Sequence, residues 1–225
     1  MGQLNKLFNR YNKMVGIVGA ESYFDIYRPD YTAANQTGTL IASNKSVRVD
    51  TRAQAFAEPS LQGGMYFDVF LDRSIVQAGD ILVPTGLSPT ASGYFEDSEI
   101  LTICSISGLK PCVGMITDCL GKITDDVQTT LYNNIRFQWA SPGQPVPTEN
   151  SRMVVDALPY DRRKLIMYRR QGQGLPYPLM KDMRIVETID GLESWWRILD
   201  ILSIGNYTTM QVMEEIGRAS CRERV

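Results

Sequence analysis

Between Met65 and Ser107 the chain alternates short apolar runs with turn punctuation, which restricts this stretch to β-structure. The runs are Met65–Leu71, Gly79–Pro84 and Ile100–Ser107. Each is too short to form a helix with a buried face. Each is rich in β-branched and aromatic residues and is bounded by Gly-Asp, Pro or Gly-Ser. Similar alternation marks Tyr23–Arg28, where Phe24, Ile26 and Arg28 share one face and Tyr23, Asp25 and Tyr27 the other. Pro29 ends that run, because proline cannot donate to a ladder. From Val47 to Phe56, Val47, Val49, Thr51, Ala53 and Ala55 oppose Arg48, Asp50, Arg52 and Gln54, a strand with one wet face. The Thr-, Ala- and Asn-rich stretch Asp30–Asn44 reads as a loop. Further strands are expected at Val113–Thr117, Val127–Trp139, Arg163–Arg169, Met183–Val186, Trp195–Ile201 and Tyr207–Val212.

One segment has helical periodicity. Leu4, Leu7, Phe8, Tyr11, Val15 and Val18 fall on one face of a helix over residues 3–18, with Lys6, Arg10 and Lys13 opposite. The predicted fold is therefore mainly β, with one or two small antiparallel β-barrels or sandwiches and an N-terminal amphipathic helix. The second half echoes the first. Asp80–Val83, Tyr94-Phe95 and Cys104–Gly108 stand beside Asp182–Val186, Trp195-Trp196 and Leu202–Gly205. A tandem duplication accounts for this, and so do two unrelated β-meanders. The expected division is a helix over 1–20, a first β-domain over 21–122 and a second over 123–214. Residues 215–225 resemble the conceptual translation of a sequencing-library adapter and are set aside.

The 225 residues carry a net charge of −2 and no histidine. Without a basic surplus, nucleic acid is not an expected partner. No apolar run is long enough for a membrane span, and the N-terminus has no signal-peptide pattern. Synthesis in a cytoplasm, with Cys104, Cys112 and Cys119 reduced, is expected. The missing histidine excludes Ser/His/Asp triads, Cys/His dyads and histidine-bearing zinc sites. These three of the four cysteines lie eight and seven residues apart, not in CxxC pairs, and read as apolar core fillers, while the fourth, Cys221, falls in the adapter-like segment. Gly172-Gln173-Gly174 lacks the lysine and helix of a phosphate loop. Glu96, Asp97, Glu99, Asp125 and Asp126 could in principle bind a hard cation or serve as acid and base, but acidic loop tips are ordinarily solvated. No cofactor, metal or reaction is expected. Trp195-Trp196, on a strand, should place one ring in the core and one outside, where it could anchor an interface or stack a sugar.

The order of Tyr27-Arg28-Pro29, Phe56-Ala57-Glu58-Pro59, the aromatic strand Phe67–Phe70, Gly79-Asp80-Ile81-Leu82 and Leu109-Lys110-Pro111-Cys112-Val113 is similar to that of small structural proteins from the head–tail and tail modules of tailed bacteriophages and prophages. The resemblance covers residues 20–120, and Gly114–Gly121 departs from it. It implies no catalysis. It implies a virion protein made in the host cytoplasm, in contact with copies of itself and with other virion proteins. Such barrels can assemble through exposed edge strands and long loops. Tyr27, Arg28, Pro29, Trp195 and Trp196 are the candidate interface residues. The competing expectations are a carbohydrate-binding β-module around Trp195, Trp196, Tyr160 and Tyr177, and a carboxylate-based cell-wall hydrolase.

Overall fold

The structure, a computed structural model, describes residues 10–11, 14, 22–30, 38–51, 66–91, 99–106, 111–139, 162–168, 178–189, 192–204 and 207–215. Arg10, Tyr11 and Met14 are helical and exposed, and the rest of the expected N-terminal helix lies outside the described residues. So do Tyr94-Phe95, Glu96, Asp97, Tyr160, Gly172–Gly174 and Tyr177.

The described residues form twelve strands: β1 (Ser22–Arg28), β2 (Thr39–Thr51), β3 (Tyr66–Phe70), β4 (Ile81–Pro84), β5 (Leu101–Ser105), β6 (Cys112–Ile116), β7 (Cys119–Thr124), β8 (Thr130–Trp139), β9 (Arg162–Tyr168), β10 (Arg184–Ile189), β11 (Leu192–Ile204) and β12 (Tyr207–Glu214). They make two closed antiparallel barrels. Around the first the order is β1-β2-β3-β6-β5-β4, with β4 pairing back to β1. Around the second it is β7-β8-β9-β12-β11-β10, with β10 pairing back to β7. Each of the twelve strands has a neighbour on both sides, but among the described residues β2 over 39–47 and β8 over 130–137 are laddered on one side only.

Two elements differ from the sequence reading. β2 begins at Thr39, inside the stretch that reads as a loop. Its pairing with β1 skips residues at two places, between Phe24 and Ile26 and between Ile26 and Tyr27, and these bulges break the period-two pattern. β7 has no counterpart among the expected strands, because Gly121 interrupts a short run. A Cβ at Gly121 would lie 2.9 Å from the Val186 carbonyl oxygen and 3.1 Å from the Phe137 ring, so glycine is what lets β7 close against β10.

The two barrels share one strand order and one ladder register. In β1–β2, Phe24 faces Lys45, Ile26 faces Ala42 and Tyr27 faces Leu40. In β7–β8, Gly121 faces Ile135, Ile123 faces Tyr132 and Thr124 faces Thr130, with both skips at corresponding places. In β5–β6 the ladder skips between Ile103 and Ser105, and in β11–β12 between Ile198 and Asp200. The left-handed backbone positions recur too. Gly38 (φ 79) matches Gln128 (φ 70), Asn44 (φ 52) matches Asn134 (φ 56), and Gly79 (φ 97) matches Asp182 (φ 67). Tracing the ladders around either ring returns the same correspondence, which makes Leu82 equivalent to Ile185, Leu101 to Trp196 and Cys112 to Met210. The residue matching suggested by sequence is out of register. Asp182 corresponds to Gly79 rather than to Asp80, and Cys104 to Leu199 rather than to Leu202.

Each barrel fills its centre differently at equivalent positions. The first packs Phe24 with Val47, and the second packs Gly121 with Phe137. Gly114 likewise stands where the second barrel has Val212, and a Cβ there would meet Val69 Cγ2 at 2.8 Å. Gly114→Val is therefore expected to destabilise by about 2 kcal/mol through overpacking, although valine serves the equivalent position. Chemical denaturation would measure it, and a neutral result would show that the first core can yield around Val69.

Candidate functional site

The candidate interface residues fall at two places, a clasp that closes the first barrel and the paired tryptophans of β11. A third place, the junction between the barrels, emerges from the structure.

The clasp joins Tyr27-Arg28-Pro29 to Gly79-Asp80-Ile81-Leu82. Arg28, at the end of β1, donates from Nε to Asp80 Oδ1 at 3.0 Å and from Nη2 to Oδ2 at 2.9 Å. Asp80 is 1% exposed and also accepts the Gln77 backbone N–H at 2.8 Å, so it binds upstream of itself rather than downstream as a turn aspartate would. The hydrogen bond and charge of Asp80 hold the Arg28 pKa above its usual value, against the opposing effect of burial. Tyr27 packs on Ile81, Val83 and Ile100, and Pro29 is buried. The second barrel closes at the equivalent place with different residues. Asp125 replaces Arg28 and Met183 replaces Asp80. Arg184 donates from Nε to Glu215 Oε2 at 3.0 Å and from Nη1 to the Asp182 carbonyl at 3.3 Å. Glu215, the first residue of the adapter-like segment, is thus tied into the barrel, and its backbone N–H donates to the Trp195 carbonyl at 2.8 Å.

Trp195 and Trp196 divide as alternation requires. Trp196 lies in the core, 4.9 Å from Trp139 between ring centroids, while Trp195 faces outward with the Lys122 ammonium 6.0 Å from its ring. The pair therefore offers one outward ring rather than a two-ring platform.

The barrels are joined by two residues, Thr117 and Asp118. Thr117 is fully buried. Its N–H donates to the Ile100 carbonyl at 2.8 Å, and its hydroxyl lies 2.9 Å from that of Thr102. Asp118 Oδ1 accepts the Ile100 N–H at 3.0 Å. From β8 of the second barrel, Arg136 crosses the junction, donating from Nη1 to the Thr117 carbonyl at 3.0 Å and from Nη2 to the carbonyls of Pro89 and Ala91. Burial pushes the Arg136 pKa down to about 10, opposed by the charges of Asp118 and Cys119. It still carries its charge at neutral pH. Ile166 of β9, fully buried, adds an apolar contact against Tyr66, Cys104, Val113 and Met115 on the outside of the first barrel. Sequence reasoning misses Arg136, which sits between Ile135 and Phe137 in an ordinary alternating strand.

Two carboxyls at this junction are disfavoured as anions. Burial raises the Asp118 pKa, opposed by the Ile100 bond and by Arg136, and burial then Asp118 raise that of Glu99. A carboxyl whose folded pKa lies above its unfolded value costs stability as pH rises through the interval between them. Glu99→Gln is expected to stabilise the protein at pH 7 by about 0.5 kcal/mol after solvent screening, with the gain vanishing below about pH 4. Thermal melts of both forms across that range measure the difference, and a gain that persists at about pH 3 would refute the cause.

Cys104 and Cys112 are buried and Cys119 is half-buried. Burial pushes the Cys112 thiol up to about 11, opposed by Arg73. Burial first, then Glu187, pushes the Cys119 thiol up to about 12. Glu187 is itself inside the second barrel, its oxygens 3.3 and 3.4 Å from Trp139 Nε1. Asp125 Oδ1 accepts the Thr129 N–H at 2.6 Å and shapes the β7–β8 turn. Among the described residues, no three Cys, Asp or Glu side chains are grouped to hold a metal ion.

No family model, curated protein or solved structure matches the chain.

Proposed function

We propose that this chain is a virion structural protein of a tailed phage, acting in head–tail joining or tail assembly through subunit–subunit contacts. The observation that carries the reading is the Arg28–Asp80 clasp. Tyr27-Arg28-Pro29 and Gly79-Asp80-Ile81-Leu82, two of the five elements of the phage-like pattern, meet in space although 52 residues separate the bonded side chains. The pattern thus has a physical meaning as the lock of a barrel. Further support comes from the two-residue, hydrogen-bonded junction, which suits a bracket that holds neighbours at a fixed angle. Exposed Tyr23, Leu40 and Ile41 on adjacent strands β1 and β2 offer apolar contact area for such neighbours. Residues 1–20 would form an amphipathic arm, and the partners would be copies of this chain and other virion proteins.

The test is incorporation. A tagged copy supplied during infection should co-purify with particles, and the purified protein should show a discrete multi-copy mass by light scattering. A protein that stays out of particles and remains strictly monomeric would defeat this reading.

A further inference from the structure

We propose that copies of this chain associate head to tail, the Leu199–Met213 face of the second barrel seating on the Phe70 face of the first barrel of another copy. This rests on the assembly reading and names the surface and the partner.

The template is the contact inside the chain. Tyr66, Cys104, Val113 and Met115 lie on the outside of the first barrel, alternating with core residues Val69, Ile103, Cys112 and Ile116. They are covered by Ile166, which alternates with core residues Leu165 and Met167 of the second barrel. One outer face of the first barrel therefore binds a different outer face of the second. Because the two barrels share one register, each face has a counterpart on the other barrel. Cys104 corresponds to Leu199, Val113 to Gln211, Met115 to Met213 and Tyr66 to Arg162, while Ile166 corresponds to Phe70. The chain thus uses one such contact internally and carries the two remaining halves, one on each barrel.

Those halves have the character of a surface that is wet before assembly. Leu199, Gln211, Met213 and Phe70 are all partly exposed. Glutamine replaces valine relative to the permanently covered face, the shift expected between a permanent interface and one that forms on association. The Arg48 guanidinium lies 5.9 Å from the Phe70 ring and adds an amphipathic rim. A contact between unlike faces is heterologous, so it propagates until it closes into a ring or runs on as a filament.

The experiment is light scattering coupled to gel filtration on the full chain and on Phe70→Asp and Met213→Asp. Each variant should remain monomeric where the wild type assembles, with the contact weakened about 100-fold or more. Mixed in equal amounts, they should stop at two copies, because each supplies the one face the other has lost. Phe70→Gln and Leu199→Lys repeat the test if either aspartate variant melts early. A wild type that assembles together with variants that assemble equally well overturns this contact and leaves the assembly reading standing. A monomeric wild type that still enters particles overturns self-association alone. One that is monomeric and stays out of particles overturns both.

Discussion

Arg28→Ala is expected to destabilise the first barrel by about 3 kcal/mol, near the lower end of the range for removing one member of a buried ion pair. The substitution leaves the Asp80 carboxylate buried, at 1% exposure, and of its three donors only the Gln77 N–H at 2.8 Å remains. Arg28 is itself 38% exposed, so water can reach part of the vacated space, which is why the higher end of the range is not expected. Arg28→Lys should recover only part of the loss, because an ammonium cannot make the two parallel bonds at 3.0 and 2.9 Å. The loss should be local. Amide exchange in β1 and β4 should accelerate while β10 and β11 keep their protection, since the second barrel is clasped by Arg184 and Glu215. A change below about 0.5 kcal/mol, or equal acceleration in both barrels, would contradict this account of the clasp.

The clasp also shows how far the sequence can be read. Alternation places Arg28 on the same face as core residues Phe24 and Ile26, which is the face from which it reaches Asp80. It cannot supply the partner, because pairing of β1 with β4 depends on how the barrel closes, not on any local pattern. The same limit applies to the strand order, whereas the strands with clean alternation are legible at the level of a few residues. Where bulges interrupt alternation, as in the first half of β2, or glycine thins it, as at Gly121, the signal disappears. The in-and-out division of Trp196 and Trp195 comes from period two alone. The repeat is visible but misaligned, because what recurs is backbone geometry rather than residue type. Gly79 and Asp182 share a positive φ, and that shared turn, not the aspartate at either site, is the equivalent feature. Asn44 and Asn134 are the exception in which residue and conformation coincide, asparagine being among the few side chains that tolerate the left-handed region. Arg136 carries no warning at all, since an arginine on the outward face of a strand is ordinarily solvated.

Arg136→Ala is expected to cost about 3 kcal/mol and to release the barrels from their fixed relation. The side chain is 6% exposed and binds three carbonyls, those of Thr117, Pro89 and Ala91, so its removal leaves buried acceptors without donors and a cavity among them. It also removes the cation beside Asp118, in a place where burial already disfavours that carboxylate. The apolar contact of Ile166 remains, so the barrels should stay folded while their mutual orientation loosens. Two readouts separate these effects. Small-angle scattering should show a larger radius for the variant, and nuclear relaxation should report faster tumbling of each barrel. Arg136→Lys should behave like alanine in scattering, because a single ammonium cannot span three acceptors in the way the planar fork does. One cooperative melt with unchanged tumbling would refute the role. The expectation rests on an asymmetry between the repeats. At the position equivalent to Arg136 the first barrel has Ser46, a small residue on the same bulged strand. Of this equivalent pair, the large cation is the one at the place where one barrel is fixed to the other.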